Sequence, residues 1–173
     1  MNAEFFVRYA KPEEFEQVGQ LMVQVYSNLA NFPTPEEQPA YYEMLASIGS
    51  LTEKPKTRLL VAVNENNEIG GGVVYFGDMQ YYGSGGTATQ EKNAAGFRLL
   101  GVDPTFRGKS IGKLLTQKCI ELAKEEGQQQ IVIHTTEAMK TAWGMYERMG
   151  FQRSEDLDFE QKGFPVFGFR LQL

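Results

Sequence analysis

Basic residues and glycines are concentrated between an apolar run that ends at Val102 and the helical pattern that follows it. They are Arg107, Gly108, Lys109, Gly112 and Lys113. The N-terminal end of a helix dipole is positive, so basic residues there destabilise the helix. Glu125 and Glu126 are unfavourable in the same way, because they place negative charge at the negative C-terminal end. This order of charges is explained if an anion binds at the helix start, where backbone N–H groups are free and glycine permits close approach. We therefore predict a phosphate site, with a solvated basic turn as the alternative.

The second candidate for chemistry is Tyr146, which lies on the inward stripe of a later helical pattern. That stripe also contains Met139, Ala142, Trp143 and Met149. A phenol is neutral and donates a hydrogen bond at pH 7, so Tyr146 could protonate a leaving group. The alternative is a core tyrosine whose hydroxyl bonds a backbone carbonyl.

The remaining titratable candidates are His134, Glu91 and Cys119. His134 is the only histidine and lies in an apolar strand pattern, where a general base and a hydrogen-bonded core histidine are both conceivable. Glu91 precedes another apolar run and is a second candidate base. Cys119 is the only cysteine, which excludes an intrachain disulfide and a multi-cysteine metal site, so we expect no metal. It falls on the core stripe of the long helix.

The elements that must position these residues follow from periodicity and turn chemistry. Apolar residues at helical spacing predict helices over about 12–28, 39–48, 108–126 and 139–149. Apolar or β-prone runs predict strands over 5–9, 58–63, 69–76, 96–102, 130–136, 151–157 and 166–173, with a long loop over 77–95. Strand–helix–strand order with nearly continuous apolar strands indicates parallel pairing under helical cover. The fold class is thus α/β (α+β), in a single domain spanning residues 1–173.

The charge and hydropathy of the chain indicate which classes of molecule it can bind. The formal net charge of -5 argues against nucleic acid, whose phosphates need many Lys and Arg contacts, and favours a cationic acceptor such as an amine. No apolar run approaches the length that spans a bilayer, and the N-terminus has no leader pattern. We expect a cytoplasmic protein without a membrane partner; a second copy of the chain, giving a homodimer, is a candidate partner.

Two motifs at a characteristic separation resemble the GCN5-related N-acetyltransferase (GNAT) superfamily. Arg107-Gly108-Lys109-Ser110-Ile111-Gly112 is similar to its diphosphate loop, with Ser110 where the central glycine is usual. Ala142-Trp143-Gly144-Met145-Tyr146, continuing to Gly150-Phe151, is similar to the family's Ala-x-x-Leu-Tyr helix and the strand after it. The resemblance implies a mixed sheet of six to seven strands with about four helices, and central parallel strands that splay apart.

The resemblance also implies roles for individual residues. Acetyl-coenzyme A would be bound by Leu100, Val102, Arg107, Gly108, Lys109, Ser110, Ile111, Gly112, Lys113, Thr136 and Met139, although the family often has Asn where this chain has Met139. Tyr146 would be the general acid, and the base is left between Glu91, His134 and ordered water. The implied activity is acetyl transfer to a small-molecule amine or a peptide N-terminus. A non-catalytic acetyl-coenzyme A module and a different acyl donor are the alternatives.

Overall fold

The structure is a computed structural model that describes residues 4–173. Residues 1–3 belong to the N-terminal stretch considered above and lie outside the described part. The α-helices of the described part are α1 (Phe15–Ser27), α2 (Pro39–Ala46), α3 (Ile111–Glu125) and α4 (Lys140–Arg148). Its strands are β1 (Phe6–Tyr9), β2 (Thr57–Val63), β3 (Ile69–Phe76), β4 (Ala94–Val102), β5 (Gln130–Thr135), β6 (Gln152–Arg153), β7 (Phe159–Gln161) and β8 (Phe164–Gln172).

The chain forms two compact units that interleave along the sequence. The first contains the residues up to Val74 together with Leu99–Lys118, and the second contains Tyr75–Arg98 together with Cys119–Leu173. Strands β3 and β4 and helix α3 therefore each pass from one unit to the other.

In the first unit the strands follow the order β1-β2-β3-β4. β1 pairs antiparallel with β2, from Phe6↔Val63 to Tyr9↔Leu60. Strands β2 and β3 are neighbours in the sheet and are joined by a short turn, in which the Asn64 N–H donates to the Glu68 carbonyl at 3.2 Å and Asn67 has a φ of 58°. Asparagine tolerates this left-handed conformation, which is why it closes such turns.

Helices α1 and α3 pack against β3 at glycines. A Cβ on Gly72 would meet Met22 and Val18 of α1, whereas a Cβ on Gly71 would meet Ile111 and Leu115 of α3. Because successive strand residues face opposite sides of a sheet, the two helices cover its opposite faces in this unit.

In the second unit β4 and β5 are parallel, as the strand–helix–strand pattern predicts. The pairs run only from Ala94↔Gln130 to Gly96↔Val132, while β5 pairs antiparallel with β8 as far as Thr135↔Phe167. Helix α4 packs on this sheet through Trp143, whose ring contacts Phe167 and Phe169 at 5.3 and 5.0 Å between centroids. β5 thus extends three residues beyond the last pair that it forms with β4.

The mixed α/β class is confirmed, and residues 4–173 contain eight strands rather than the six to seven predicted. The prediction of a strand over 151–157 was partly wrong, because only Gln152–Arg153 of this range form a strand and Glu155–Leu157 form a 3-10 turn. The additional strand is β7, which pairs with β8 from Phe159↔Val166 to Gln161↔Phe164. None of the helices in residues 4–173 has the length and apolar character needed to cross a bilayer.

Candidate active site

The basic segment of the first unit lies where β4 ends and α3 begins. The Asp103 N–H donates to the Gly70 carbonyl at 2.8 Å, and the Asp103 carboxylate accepts from the Thr105 N–H at 2.9 Å. The chain then takes left-handed conformations at Gly108 (φ 82°) and Ser110 (φ 60°) before the helix starts at Ile111. These turns place the helix start three residues later than the sequence predicts.

The start of α3 has the electrostatic features of an anion site. The Leu114 N–H bonds the Ser110 carbonyl at 3.0 Å, so the N–H groups ahead of Leu114 have no acceptor within the helix. The first turn contains no acidic residue. Arg107 and Lys113 are exposed, and within residues 4–173 neither forms a salt bridge. Both charges are therefore available to a bound phosphate group.

Strand β4 has an irregular backbone next to this segment. Leu99 is buried, yet its φ of 62° lies in the left-handed region, which is unusual for a leucine within a strand. The next carbonyl, that of Leu100, accepts a hydrogen bond from the Tyr26 hydroxyl at 2.8 Å. The ring of Tyr26 is in turn packed against Phe32 and Tyr41, at centroid distances of 5.5 and 6.3 Å.

The sequence did not single out Tyr26 or Leu99 as site residues. Tyr26 falls within the predicted helix over 12–28, and helical spacing does not reveal which group its hydroxyl contacts 74 residues later in the sequence. The sequence does not indicate a left-handed backbone at Leu99, since leucine rarely adopts that conformation. Both act on the β4 segment that contains the expected cofactor contacts Leu100 and Val102.

Tyr146 lies in the second unit, on α4, and is 5% exposed. Its ring contacts Phe97 and Phe151 at centroid distances of 5.8 and 5.5 Å. Burial raises the pKa of the Tyr146 phenol well above its ordinary value. The hydroxyl is therefore protonated throughout the neutral range and can act only as a proton donor there.

The hydroxyl of Tyr146 differs from those of the other buried tyrosines. Each of the other four has a partner: the Leu100 carbonyl for Tyr26, the Pro33 carbonyl for Tyr42, the Glu126 carboxylate for Tyr75 and the His134 ring for Tyr82. Within residues 4–173 no group hydrogen-bonds the Tyr146 hydroxyl. The structural alternative, in which a backbone carbonyl accepts from Tyr146, finds no support in this part of the chain.

Neither candidate base is placed to accept a proton. His134 Nε2 lies 2.9 Å from the Leu157 carbonyl and must donate to it, so Nδ1 accepts from the Tyr82 hydroxyl at 3.1 Å. Burial also lowers the pKa of His134. The Glu91 carboxylate forms an ion pair with the Arg170 guanidinium through Oε1, which stabilises its charged form.

Thr136 and Met139 lie between β5 and α4. Met139 is the N-cap of α4, and its N–H donates to the Thr136 carbonyl at 3.0 Å. The Met139 sulfur accepts a hydrogen bond from the Thr135 hydroxyl at 3.5 Å. Thr136 is 5% exposed, and its hydroxyl is a buried polar group without a hydrogen-bond partner among residues 4–173. Native proteins retain few buried hydroxyls without a partner, so the Thr136 hydroxyl is a candidate contact for a polar ligand group.

Comparison with known proteins identifies the family from the sequence. The family described as Acetyltransferase (GNAT) matches residues 22–151. An N-acetyltransferase of Methanocaldococcus jannaschii is 35% identical over 66 residues, which are 38% of this chain and 29% of that protein. The aligned segment thus spans less than a third of that relative's length.

Two solved structures share the fold over nearly their whole length. PaiA N-acetyltransferase of Thermoplasma acidophilum, in complex with coenzyme A, has a TM-score of 0.74 at 15% identity, covering 98% of this chain and 99% of that chain. YncA of Salmonella typhimurium, with its cofactor acetyl-CoA, has a TM-score of 0.67 at 16% identity, covering 99% of this chain and 95% of that chain. At such identities the similarity establishes the fold alone.

Proposed function

Because the chain belongs to the GNAT family of acetyltransferases, we propose that it transfers an acetyl group from acetyl-coenzyme A to a primary amine. The observation that carries the proposal is Tyr146, a buried and protonated phenol whose hydroxyl has no partner in residues 4–173. Such a group is suited to protonate a leaving thiolate. The amine attacks directly, within a ternary complex of enzyme, donor and acceptor.

The start of α3 would bind the diphosphate of the donor. N–H groups from Gly108 to Gly112 would face it at the positive end of the helix dipole, while the Arg107, Lys109 and Lys113 side chains would add positive charge. The backbone of Leu100 and Val102 would hold the pantetheine arm as an added strand. The Tyr26 hydroxyl, bonded to the Leu100 carbonyl, fixes one end of that segment.

Acetyl-coenzyme A supplies the acetyl group as an activated thioester. The attacking nitrogen forms a bond to the acetyl carbon, and the carbon–sulfur bond breaks with its electron pair on sulfur. Tyr146 donates its phenolic proton to that sulfur and recovers a proton from solvent. The proton lost by the amine passes to solvent water, since both nitrogens of His134 and the carboxylate of Glu91 already have partners.

The proposed acceptor is an amine of either of two kinds. A small-molecule amine or a peptide N-terminus is compatible with the net charge of -5, which favours encounter with cations. A cytoplasmic location and assembly as a homodimer remain predictions from the sequence.

A second candidate function is a non-catalytic acetyl-coenzyme A module. The observation that favours it is that neither Glu91 nor His134 is placed to act as base. The two functions share the cofactor and differ in turnover.

The test combines binding with turnover. Acetyl-coenzyme A should raise the melting temperature, because a ligand that binds only the native state stabilises it by mass action. A panel of amines and peptide N-termini is then screened for coenzyme A release by free-thiol detection. Amine-dependent release supports the enzyme, and a thermal shift without release across the panel supports the module. Absence of a thermal shift at millimolar acetyl-coenzyme A contradicts both.

A further inference from the structure

Arg153 of β6 donates hydrogen bonds to two separate parts of the second unit. Its two terminal nitrogens donate to the Asp158 carboxylate at 3.0 and 2.8 Å, and one of them also donates to the Gly168 carbonyl at 2.7 Å. The Asp158 carboxylate accepts in addition from the Gly168 N–H at 2.7 Å. A guanidinium suits this geometry, because its planar array of N–H donors can form two parallel bonds with a carboxylate. Arg153 therefore connects β6 to Asp158 and to the middle of β8.

The same guanidinium also lies over aromatic rings. Arg153 and Phe169 are paired across β6 and β8, so their side chains lie on the same face of the sheet. The guanidinium carbon is 5.1 Å from the ring centroid of Phe167, 5.5 Å from that of Phe169 and 6.0 Å from that of Trp143. These are cation–π contacts, and Trp143 belongs to α4. Arg153 thus joins α4 to the sheet.

Helix α4 also contains Tyr146, one turn after Trp143, and residues three apart on a helix share a face. The residue two positions before Arg153 contacts Tyr146. The Phe151 ring lies 5.5 Å from the Tyr146 ring, and the Phe151 N–H donates to the Tyr146 carbonyl at 3.0 Å. Residues 151–153 therefore contact both aromatic residues of α4. Because the helix has only nine residues, two such contacts restrict its rotation about its own axis.

We propose that Arg153 is a positioning residue for the reaction, because it fixes the rotation of α4 and thereby the place of the Tyr146 hydroxyl. This inference rests on the proposed function, in which Tyr146 donates a proton to the departing sulfur. Proton transfer requires the two heavy atoms to lie at hydrogen-bond distance, so a displacement of about 1 Å at the hydroxyl can reduce the rate by up to roughly 100-fold. Arg153 acts through α4 and needs no contact with either substrate.

The test is a double-mutant cycle between Arg153→Met and Tyr146→Phe. Methionine keeps an unbranched side chain beside the rings and removes the charge and the hydrogen bonds. In the wild-type background, Arg153→Met should lower kcat about 5- to 30-fold, measured by free-thiol release with the best acceptor of the panel. In the Tyr146→Phe background it should lower kcat less than about twofold, because no hydroxyl remains to be positioned. The Kd for coenzyme A should stay within about twofold of wild type, because the proton donor acts only in the transition state.

The pH dependence of turnover separates positioning from stability. The ratio of wild-type to Arg153→Met turnover should decrease from about pH 6 to pH 9.5, as it does when a general acid is lost, because the coenzyme A thiolate leaves unaided more readily as pH rises. A ratio that does not change across this range would contradict a role in proton donation.

Arg153→Lys is the conservative variant. It keeps the positive charge without the paired hydrogen bonds, so its kcat should lie between those of wild type and Arg153→Met. If Arg153→Met does not fold, Arg153→Lys replaces it in the double-mutant cycle, with a smaller loss of kcat that should again disappear in the Tyr146→Phe background.

Arg8→Met is the matched control. Arg8 lies in the first unit, and its guanidinium likewise donates two hydrogen bonds to one carboxylate, that of Glu14, each at 2.9 Å. Arg8→Met and Arg153→Met should each lower the melting temperature by about 2 to 6 °C in thermal unfolding. Arg8→Met should keep kcat within about twofold of wild type, because its ion pair joins β1 to the turn ahead of α1 and is remote from α4.

Each alternative outcome has a definite meaning. Equal losses of kcat in the wild-type and Tyr146→Phe backgrounds would overturn the inference, because Arg153 would then not act through Tyr146. A lower melting temperature with wild-type kcat would also overturn it and leave the proposed function intact, since Arg153 would then contribute only to stability. Wild-type turnover of Tyr146→Phe alone would refute the general-acid role and this inference with it. Absence of amine-dependent turnover in the wild-type protein would overturn the proposed function as well.

Discussion

Replacement of Tyr146 by phenylalanine distinguishes a catalytic role from a structural one. A catalytic hydroxyl predicts reduced turnover with unchanged stability, whereas a structural hydroxyl predicts reduced stability with unchanged turnover. The hydroxyl has no partner within residues 4–173, so its removal breaks no hydrogen bond there, while the ring contacts with Phe97 and Phe151 persist. We therefore expect the free energy of unfolding to stay within about 0.5 kcal/mol of wild type or to increase slightly. If a carbonyl did accept from this hydroxyl, the same change would cost about 1 kcal/mol.

Turnover of Tyr146→Phe should fall by roughly 10² to 10⁴, the usual contribution of a positioned general acid, which corresponds to about 3 to 5 kcal/mol in activation free energy. The affinity for acetyl-coenzyme A should change little, since the proton moves only in the transition state. The assay is free-thiol release with the best acceptor of the panel, combined with thermal unfolding.

The pH dependence of the defect provides a second readout. Burial raises the pKa of Tyr146 above its ordinary value, so the wild-type acid remains protonated from pH 6 to pH 9.5. A thiol such as that of coenzyme A has a pKa of about 8.5, so its thiolate leaves unaided more readily as pH rises. The ratio of wild-type to variant turnover should therefore decrease across this range.

Tyr75→Phe is the matched control for this experiment. Its buried hydroxyl donates to the Glu126 carboxylate at 2.7 Å, so the variant should lose about 1 to 2 kcal/mol of stability and keep wild-type turnover. If Tyr146→Phe instead behaves like this control, with wild-type turnover at pH 7 and reduced stability, the general-acid assignment is refuted.

Three further predictions concern other parts of the chain. Ser110→Gly should raise the melting temperature by about 2 to 4 °C in scanning calorimetry, because relief of a left-handed serine outweighs the added flexibility of the unfolded chain; a decrease would contradict this. Gly112→Glu should weaken coenzyme A binding more than tenfold in titration calorimetry, with an unchanged circular dichroism spectrum, because a carboxylate repels the diphosphate; unchanged affinity would place the diphosphate elsewhere. The ion pair with Arg8 holds the pKa of Glu14 at about 2, below its unfolded value near 4.5. Glu14→Gln should therefore lose about 1 to 3 kcal/mol at pH 7 in thermal unfolding, and this loss should disappear as pH falls from 4.5 through 2; a pH-independent difference would rule out the linkage.

The elements that the sequence predicts well are those with a long periodic pattern or standard turn chemistry. Helix α1 buries Val18, Met22 and Tyr26, as its apolar spacing predicts, and β3 occupies the predicted residues. The predicted strand over 151–157 is wrong at its C-terminal end because Glu155–Leu157 form a 3-10 turn, and a strand starts two residues later at Phe159. Short apolar stretches lack the length needed to distinguish these two structures.

The site was predictable where its chemistry is local. Arg107 to Lys113 could be recognised as a possible anion site because charge, glycine and helix start are adjacent in sequence. The partners of Glu91 and His134 could not, since Arg170 is 79 residues from Glu91 and Leu157 is 23 residues from His134. Only tertiary structure reveals that these groups are already engaged and that the Tyr146 and Thr136 hydroxyls have no partner in the described residues.

The rate at which the buried thiol of Cys119 reacts can be used to measure transient opening of the protein. It lies fully buried on the stripe of α3 with Ile111 and Leu115, and burial raises its pKa. A disulfide reagent should therefore react with the native protein only during transient opening, at a rate that measures the free energy of that opening. Because Cys119 is the only cysteine, the labelling has a single origin and needs no engineered site. A ligand that binds the closed state should slow the labelling in proportion to its saturation, so cofactor affinity can be read without an acceptor substrate.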